Sequence, residues 1–180
     1  MEGAGRLLER DTPRAGQMIQ TVREQLVEGL AELRSTLASL RDSGMTGTSL
    51  RKSLQSLVDE YTQATGLVVH LSIPDNLFAL DEARRMTIYR AAQEALTNTQ
   101  RHAGASAVWL TIEQTTRAVT LSVEDDGAGM PADEFTPGIG LRGMQERAQQ
   151  LGGALTIDTS PRGGVGLKLT IPLAKAETNG

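Results

Sequence analysis

The sequence predicts an α/β fold: a two-layer sandwich, with helices over one face of a mixed sheet of about five strands, preceded by a long N-terminal helix. Three observations carry this. Short stretches such as LVVHLSI (67–73) alternate apolar and polar residues and read as half-buried strands. Longer stretches repeat apolar residues every three or four positions, as amphipathic helices do. The two kinds interleave without a regular strand–helix–strand repeat.

Residues 14–41 open the pattern, with Ile19, Val22, Leu26, Leu30, Leu33, Leu37 and Leu40 forming one seam and Pro13 suiting a first turn. Such a seam serves either a dimeric bundle or a helix lying on its own domain, and fewer than about four heptads leave both open. RDSGMTGT (41–48) breaks it with two glycines. A helix follows from Thr48 or Ser49, which read as caps, with Leu50, Leu54, Leu57, Val58 and Tyr61 inward and Gly66 as its end. After the strand at 67–73, a helix is expected from Asp81 to His102, then strands at 106–113 and 117–124. A glycine-rich loop (125–138) leads to a helix at 140–151, closed by Gly152 and Gly153. Strands at 154–159 and 165–171, joined by SPRGG, finish the fold.

Composition narrows the function. A net charge of −4 argues against a nucleic-acid footprint, which needs clustered Lys and Arg. The absence of cysteine excludes disulfides, thiolate zinc and a thiol nucleophile. With one Trp, two Tyr and two Phe, the core must be aliphatic. No apolar run approaches the roughly 18 residues of a membrane span, and the opening residues do not read as a signal peptide. The expected location is cytoplasmic, whether or not an intact protein is membrane-anchored.

GIGLRG (138–143) matches G-x-G-x-x-G, with Asp158 about twenty residues on, as a dinucleotide fingerprint asks. That fingerprint requires a strand running straight into its first glycine. Here the strand ends near Glu124, and DDGAGMPADEFTP intervenes. The dinucleotide reading fails on context. What survives is a pair of glycine clusters, DDGAG and GIGLRG, the second opening a helix whose free N–H groups favour an anion.

AAQEALTNTQRHAGA (91–105) places Glu94, Asn98 and His102 four apart on one helix face, with Arg101 beside them. A base, an oxygen ligand and a donor in a row suit a hard cation and its phosphates. A solvated polar face has the same pattern. His70 reads as a surface histidine on its strand. Asp125, Asp126, Asp133 and Glu134 match no Ca²⁺ loop, and no G-x-S-x-G element supports hydrolysis.

Taken together, these segments resemble the catalytic ATP-binding domain of sensor histidine kinases, in the group shared with gyrase, Hsp90 and MutL, and more narrowly the nitrate/nitrite-sensor branch. QEALTNTQRHAGAS resembles that branch's N box, VEDDGAGM its first glycine box and GIGLRGMQERAQQLGG its second. RGGVGLKLTIPL is similar to its final hairpin and strand. The resemblance spans 48–173 and implies a Bergerat-type ATP-binding fold. RLLERDTPRA and the helix at 14–41 resemble the end of the first helix and the second helix of a dimerisation domain. Residues 1–13 would then be a remnant and connector, 42–47 a hinge and 174–180 a tail.

The resemblance also implies roles. Asp125 would accept the adenine amino group, and Gly127 and Gly129 would let the loop pass close to the base. Asn98 would hold Mg²⁺, Glu94 would assist transfer, and Arg101 and His102 would face the triphosphate. Gly138, Gly140 and Gly143 would form the far edge of a short lid at 130–137. Partners would be ATP, a response regulator and the phosphoacceptor helix of an intact kinase, with a homodimer through 14–41 left open. Two departures stand out. Val165 follows Gly164 where the family tends to place Thr, so Val165 is not expected as a ligand. Neither His70 nor His102 lies in a phosphoacceptor context, so the chain alone is not expected to autophosphorylate. The alternative is an anti-sigma-type serine kinase or a non-catalytic ATP-binding regulatory module.

Overall fold

The computed structural model describes residues 49–77, 80–129 and 138–173. The chain divides into two units, Met1–Gly47 and Thr48–Gly180, and the described residues belong to the second. The segments expected at 1–13, 14–41, 42–47 and 174–180, and the lid at 130–137, lie outside them.

Helix α1 (Leu50–Thr65) starts on Ser49, whose hydroxyl accepts from Lys52 N–H at 3.4 Å. It buries Leu50, Leu54, Leu57 and Val58 and ends at Gly66, where φ of 73° suits a residue without a side chain. Strand β1 (Val68–Ser72) follows, then helix α2 (Glu82–Asn98), capped by Asp81 on Arg84 N–H at 2.8 Å. Strands β2 (Ala107–Gln114) and β3 (Ala118–Asp125), helix α3 (Ile139–Gln150), and strands β4 (Ala154–Thr159) and β5 (Val165–Pro172) complete the unit. Every strand lies within one residue of its expected ends.

The sheet runs β1-β2-β3-β5-β4, with β1 parallel to β2 and the other pairs antiparallel. It is the mixed five-stranded sheet that the alternation predicted. Val108, Leu110 and Ile112 of β2, Val119, Leu121 and Val123 of β3, and Leu167, Leu169 and Ile171 of β5 turn one way. They meet Leu54 of α1, Ile88, Ala92 and Leu96 of α2, and Met144 and Ala148 of α3 in a single core. Trp109, Ser122, Glu124 and Lys168 occupy the alternate positions and form the outer face. The core is aliphatic, as the composition required.

One element departs from expectation. The α-helix predicted to reach His102 stops at Asn98 and continues as a π turn over Thr99–Ala103. Thr97 and Thr99 both donate their hydroxyls to the carbonyl four residues earlier, at 2.9 and 3.1 Å, which competes with the regular ladder. Glu94 and Asn98, on the α-helical part, are half-buried, whereas His102, on the π turn, is exposed.

At the same end of the sheet, Asp126 joins β3 to the start of β2. Its Oδ1 accepts from Ser106 N–H at 2.8 Å and Ala107 N–H at 2.9 Å. The bond from Ala107, ahead of that from Ser106, holds the carboxyl below its ordinary value of 3.8. A lowered carboxyl contributes stability that is present above the unfolded value and lost as pH falls through the folded one. Asp126→Ala is therefore expected to be less stable than the native chain at neutral pH, with the gap closing only below pH 3.8; chemical unfolding across an acid pH series measures it.

Candidate functional site

Asp125 is the last residue of β3 and is buried, at 4% exposure. A buried carboxyl needs partners, and the sequence supplies them from two loops. Its Oδ1 accepts from Gly127 N–H at 2.9 Å and from Val165 N–H at 3.1 Å. Oδ2 stands 3.5 Å from the Thr99 hydroxyl, which also lies 3.1 Å from Ala95 O and donates to one of the two at a time. One carboxylate oxygen is thus committed to the fold, and the other keeps acceptor capacity.

The glycines around Asp125 are there for space. A Cβ on Gly127 would overlap Ala103, whose carbonyl accepts from Ala128 N–H at 2.9 Å. A Cβ on Gly164 would overlap the Asp125 carboxylate and meet Gly127 N at 2.6 Å. Gly129, at φ of 76°, would place a Cβ 3.2 Å from Gly163 O. The first glycine box is therefore wedged between the π turn and the β4–β5 hairpin.

About five residues, or roughly 7.5 Å along a helix, separate Thr99 from Glu94. There a second contact forms. A Cβ on Gly140 would overlap the Glu94 carboxylate, so that carboxylate lies against the first turn of α3. Gly138 caps α3 without any side-chain bond, leaving that end to backbone N–H groups. Gly143 sits one turn on, where a Cβ would stand 3.2 Å from Arg147 Nη1.

Asn98 is half-buried at the end of α2, while Arg101 and His102 are exposed on the π turn. Gln100 accepts from the Tyr61 hydroxyl at 2.9 Å, tying α1 to that turn. Burial raises the Tyr61 pKa above 10.0, with Thr97 and the nearby Arg101 charge opposing. Among the described residues no three His, Asp or Glu side chains gather as a metal cluster.

The structure therefore brings Asp125, Gly127 and Gly129 together at one end and Glu94, Gly138 and Gly140 at the other. Sequence reasoning missed Thr99, Gly164 and the Val165 backbone. Thr99 lies in phase with the buried Ala95 and Leu96, off the Glu94–Asn98 stripe on which the sequence reading rested. Val165 was set aside for its side chain, yet its N–H is what Asp125 uses.

The model of the histidine kinase-, DNA gyrase B- and HSP90-like ATPase family matches residues 83–175. The signal transduction histidine-protein kinase/phosphatase UhpB of Salmonella typhimurium is 39% identical over 145 residues, covering 79% of this chain and 28% of that protein. DegS of Brevibacillus brevis, a protein of the same description, is 32% identical over 160 residues, 88% of this chain and 42% of its own length. The chain thus spans less than half of these curated relatives. Among solved structures, the histidine kinase domain of the Erythrobacter litoralis EL346 blue-light activated kinase has a TM-score of 0.61 at 21% identity, covering 74% of this chain and 69% of that one, a likeness of fold. The ATP binding domain of PrrB from Mycobacterium tuberculosis has a TM-score of 0.50 at 26% identity, covering 67% of this chain and 94% of that one.

The two glycine contacts differ in what they press on, and so should their substitutions. Gly164→Ala meets backbone and a fixed carboxylate, and is expected to cost about 1–3 kcal/mol in chemical unfolding. Gly140→Ala meets only the swinging end of Glu94, and alanine is the better helix former, so its stability should stay within about 1 kcal/mol of the native chain.

Proposed function

The chain belongs to the histidine kinase-, DNA gyrase B- and HSP90-like ATPase family, and on that premise we propose that it binds Mg·ATP between Asp125 and α3 for a sensor histidine kinase. The observation that carries this is the Asp125 carboxylate, with Oδ1 held by two backbone N–H groups and Oδ2 left as an acceptor. An acceptor there takes the exocyclic amino group of adenine, which guanine lacks at that position. Gly127 and Gly129 keep the neighbouring backbone free of side chains, so that the base approaches closely.

From the base, the triphosphate runs along α2 toward Gly138, Gly140 and Gly143, where the N–H groups of α3 favour phosphate oxygens. Asn98 would supply one oxygen to Mg²⁺, an ion that commonly takes its remaining ligands from phosphate and water. Glu94, already against the first turn of α3, orients or deprotonates the accepting group. Arg101 and His102 add donors at the rim. The family match, together with the 39% and 32% identities to named histidine kinases, supports the reaction class. In the longer protein, the γ-phosphoryl passes to a histidine and then to a response-regulator aspartate. Catalysis rests on positioning and charge neutralisation. A seam such as 14–41 would pair in the dimerisation bundle of that protein.

Calorimetric titration of the chain with ATP tests this. Asp125→Asn keeps one acceptor but turns the other position into a donor, which repels the adenine amino group. It is expected to weaken ATP at least about tenfold, the worth of one hydrogen bond to a charged group. Asn98→Asp should alter affinity with Mg²⁺ present far more than without it. Equal ATP affinity for the native chain and Asp125→Asn would remove Asp125 from the site.

A further inference from the structure

The β4–β5 hairpin grips the end of β3 from both faces of the sheet. In the plane of the sheet Gly164 N–H donates to Asp125 O at 3.2 Å, and on the inner face Val165 N–H donates to Asp125 Oδ1 at 3.1 Å. On the outer face, Arg162 Nε donates to Glu124 Oε2 at 3.2 Å, and the guanidinium carbon lies 3.8 Å from the Trp109 ring centroid. Glu124 and Asp125 are neighbours, so strand alternation turns their side chains to opposite faces, and the hairpin closes round the pair. Trp109 is backed from the β1 side by His70, with ring centroids 5.2 Å apart and planes at 16°. His70 and Glu124 are its register partners on the two adjacent strands.

The hairpin tip carries two glycines, with Gly163 at φ of 104°, a conformation that glycine adopts readily. Its Ser160 N–H···Gly164 O bond (2.8 Å) and its Gly163 N–H···Ser160 O bond (3.0 Å) close the turn but do not anchor it to the sheet. Beyond the β3–β5 ladder, which begins at Glu124 and Gly166, the tip is held by Asp125 on one face and by the Arg162 side chain on the other. The geometry points to Arg162, laid on Trp109 and paired with Glu124, as a positioning residue for adenine. It holds Gly164 and Val165 where they fix the Asp125 carboxylate, from the face of the sheet opposite the nucleotide. Arg162 and Trp109 touch no nucleotide atom in this arrangement. The inference rests on the reading of Asp125 as the adenine acceptor.

The test is calorimetry on the full chain with ATP and, separately, ADP. Arg162→Ala is expected to weaken both nucleotides by the same factor, about three- to tenfold, the scale of an exposed cation–π contact and ion pair combined. Trp109→Leu should do the same, whereas Trp109→Phe should stay near the native affinity because it keeps a ring for the guanidinium. Trp109 is the chain's single tryptophan, so its emission should change when ADP binds the native protein and lose that response in Arg162→Ala. Melting without nucleotide checks that each variant folds. Native affinity for both nucleotides in Arg162→Ala overturns the inference while leaving the adenine reading intact. A loss for ATP that spares ADP also overturns it, since the effect would then lie at the phosphates. A native chain that binds neither nucleotide overturns both.

Discussion

The architecture of this unit converges on one carboxyl group. Asp125 lies buried at the end of the central strand, and the π turn, the loop after β3 and the start of β5 all meet it. A buried polar group left without partners costs about 1–3 kcal/mol, so the chain must deliver donors to that point. It does so with the N–H groups of Gly127 and Val165, one from the loop after β3 and one from the start of β5. Those bonds demand that Gly164 have no side chain, that Gly127 fit under Ala103, and that the hairpin fold back over the strand end. Satisfying the carboxyl therefore brings together the loop after β3 and the start of β5 around Asp125, with Oδ2 beside Thr99.

The sheet makes this possible because its two faces do different work. Helices α1, α2 and α3 close the inner face around Leu110, Leu121 and Leu169, which fixes β3 rigidly in the centre. The outer face carries no helix among the described residues, and there Trp109, His70, Arg162 and Glu124 interact at the same level of the sheet as Asp125. A strand residue and its neighbour always face opposite ways. Placing an acid at each of positions 124 and 125 thus lets one hairpin be held from both sides.

Most of the fold was legible in the sequence because its signals are local. Alternation located all five strands, and Ser49, Asp81, Gly66 and Gly152 marked helix ends through capping chemistry that needs no tertiary knowledge. For the proposed site, the motifs pointed to Asp125, Gly127 and Gly140, and the structure places Gly127 against Asp125 and Gly140 against Glu94. The site was not legible where residues act through backbone atoms or across the sheet. Val165 contributes an N–H that any residue would have, and its side chain drew attention away from that. His70 looked like an ordinary surface histidine; its stacking depends on the β1–β2 register, which alternation alone leaves unset. GIGLRG shows the converse: a pattern match whose meaning depended on the strand before it, and β3 ends at Asp125, well ahead of Gly138.

The π turn begins where the Glu94–Asn98 part of the α2 stripe ends. Counting in fours assumes a constant 3.6 residues per turn, and Glu94 and Asn98 obey it. Thr97 and Thr99 then spend their hydroxyls on carbonyls that the ladder also uses, and the backbone widens. Thr99 lies buried beside Asp125, and Ala103 beneath Gly127, in phase with the buried Ala95 of α2, while Gln100, Arg101 and His102 stay at the surface. An irregular turn carries the contact between α2 and the loop after β3, so a motif with helical spacing ends in a segment that is not an α-helix.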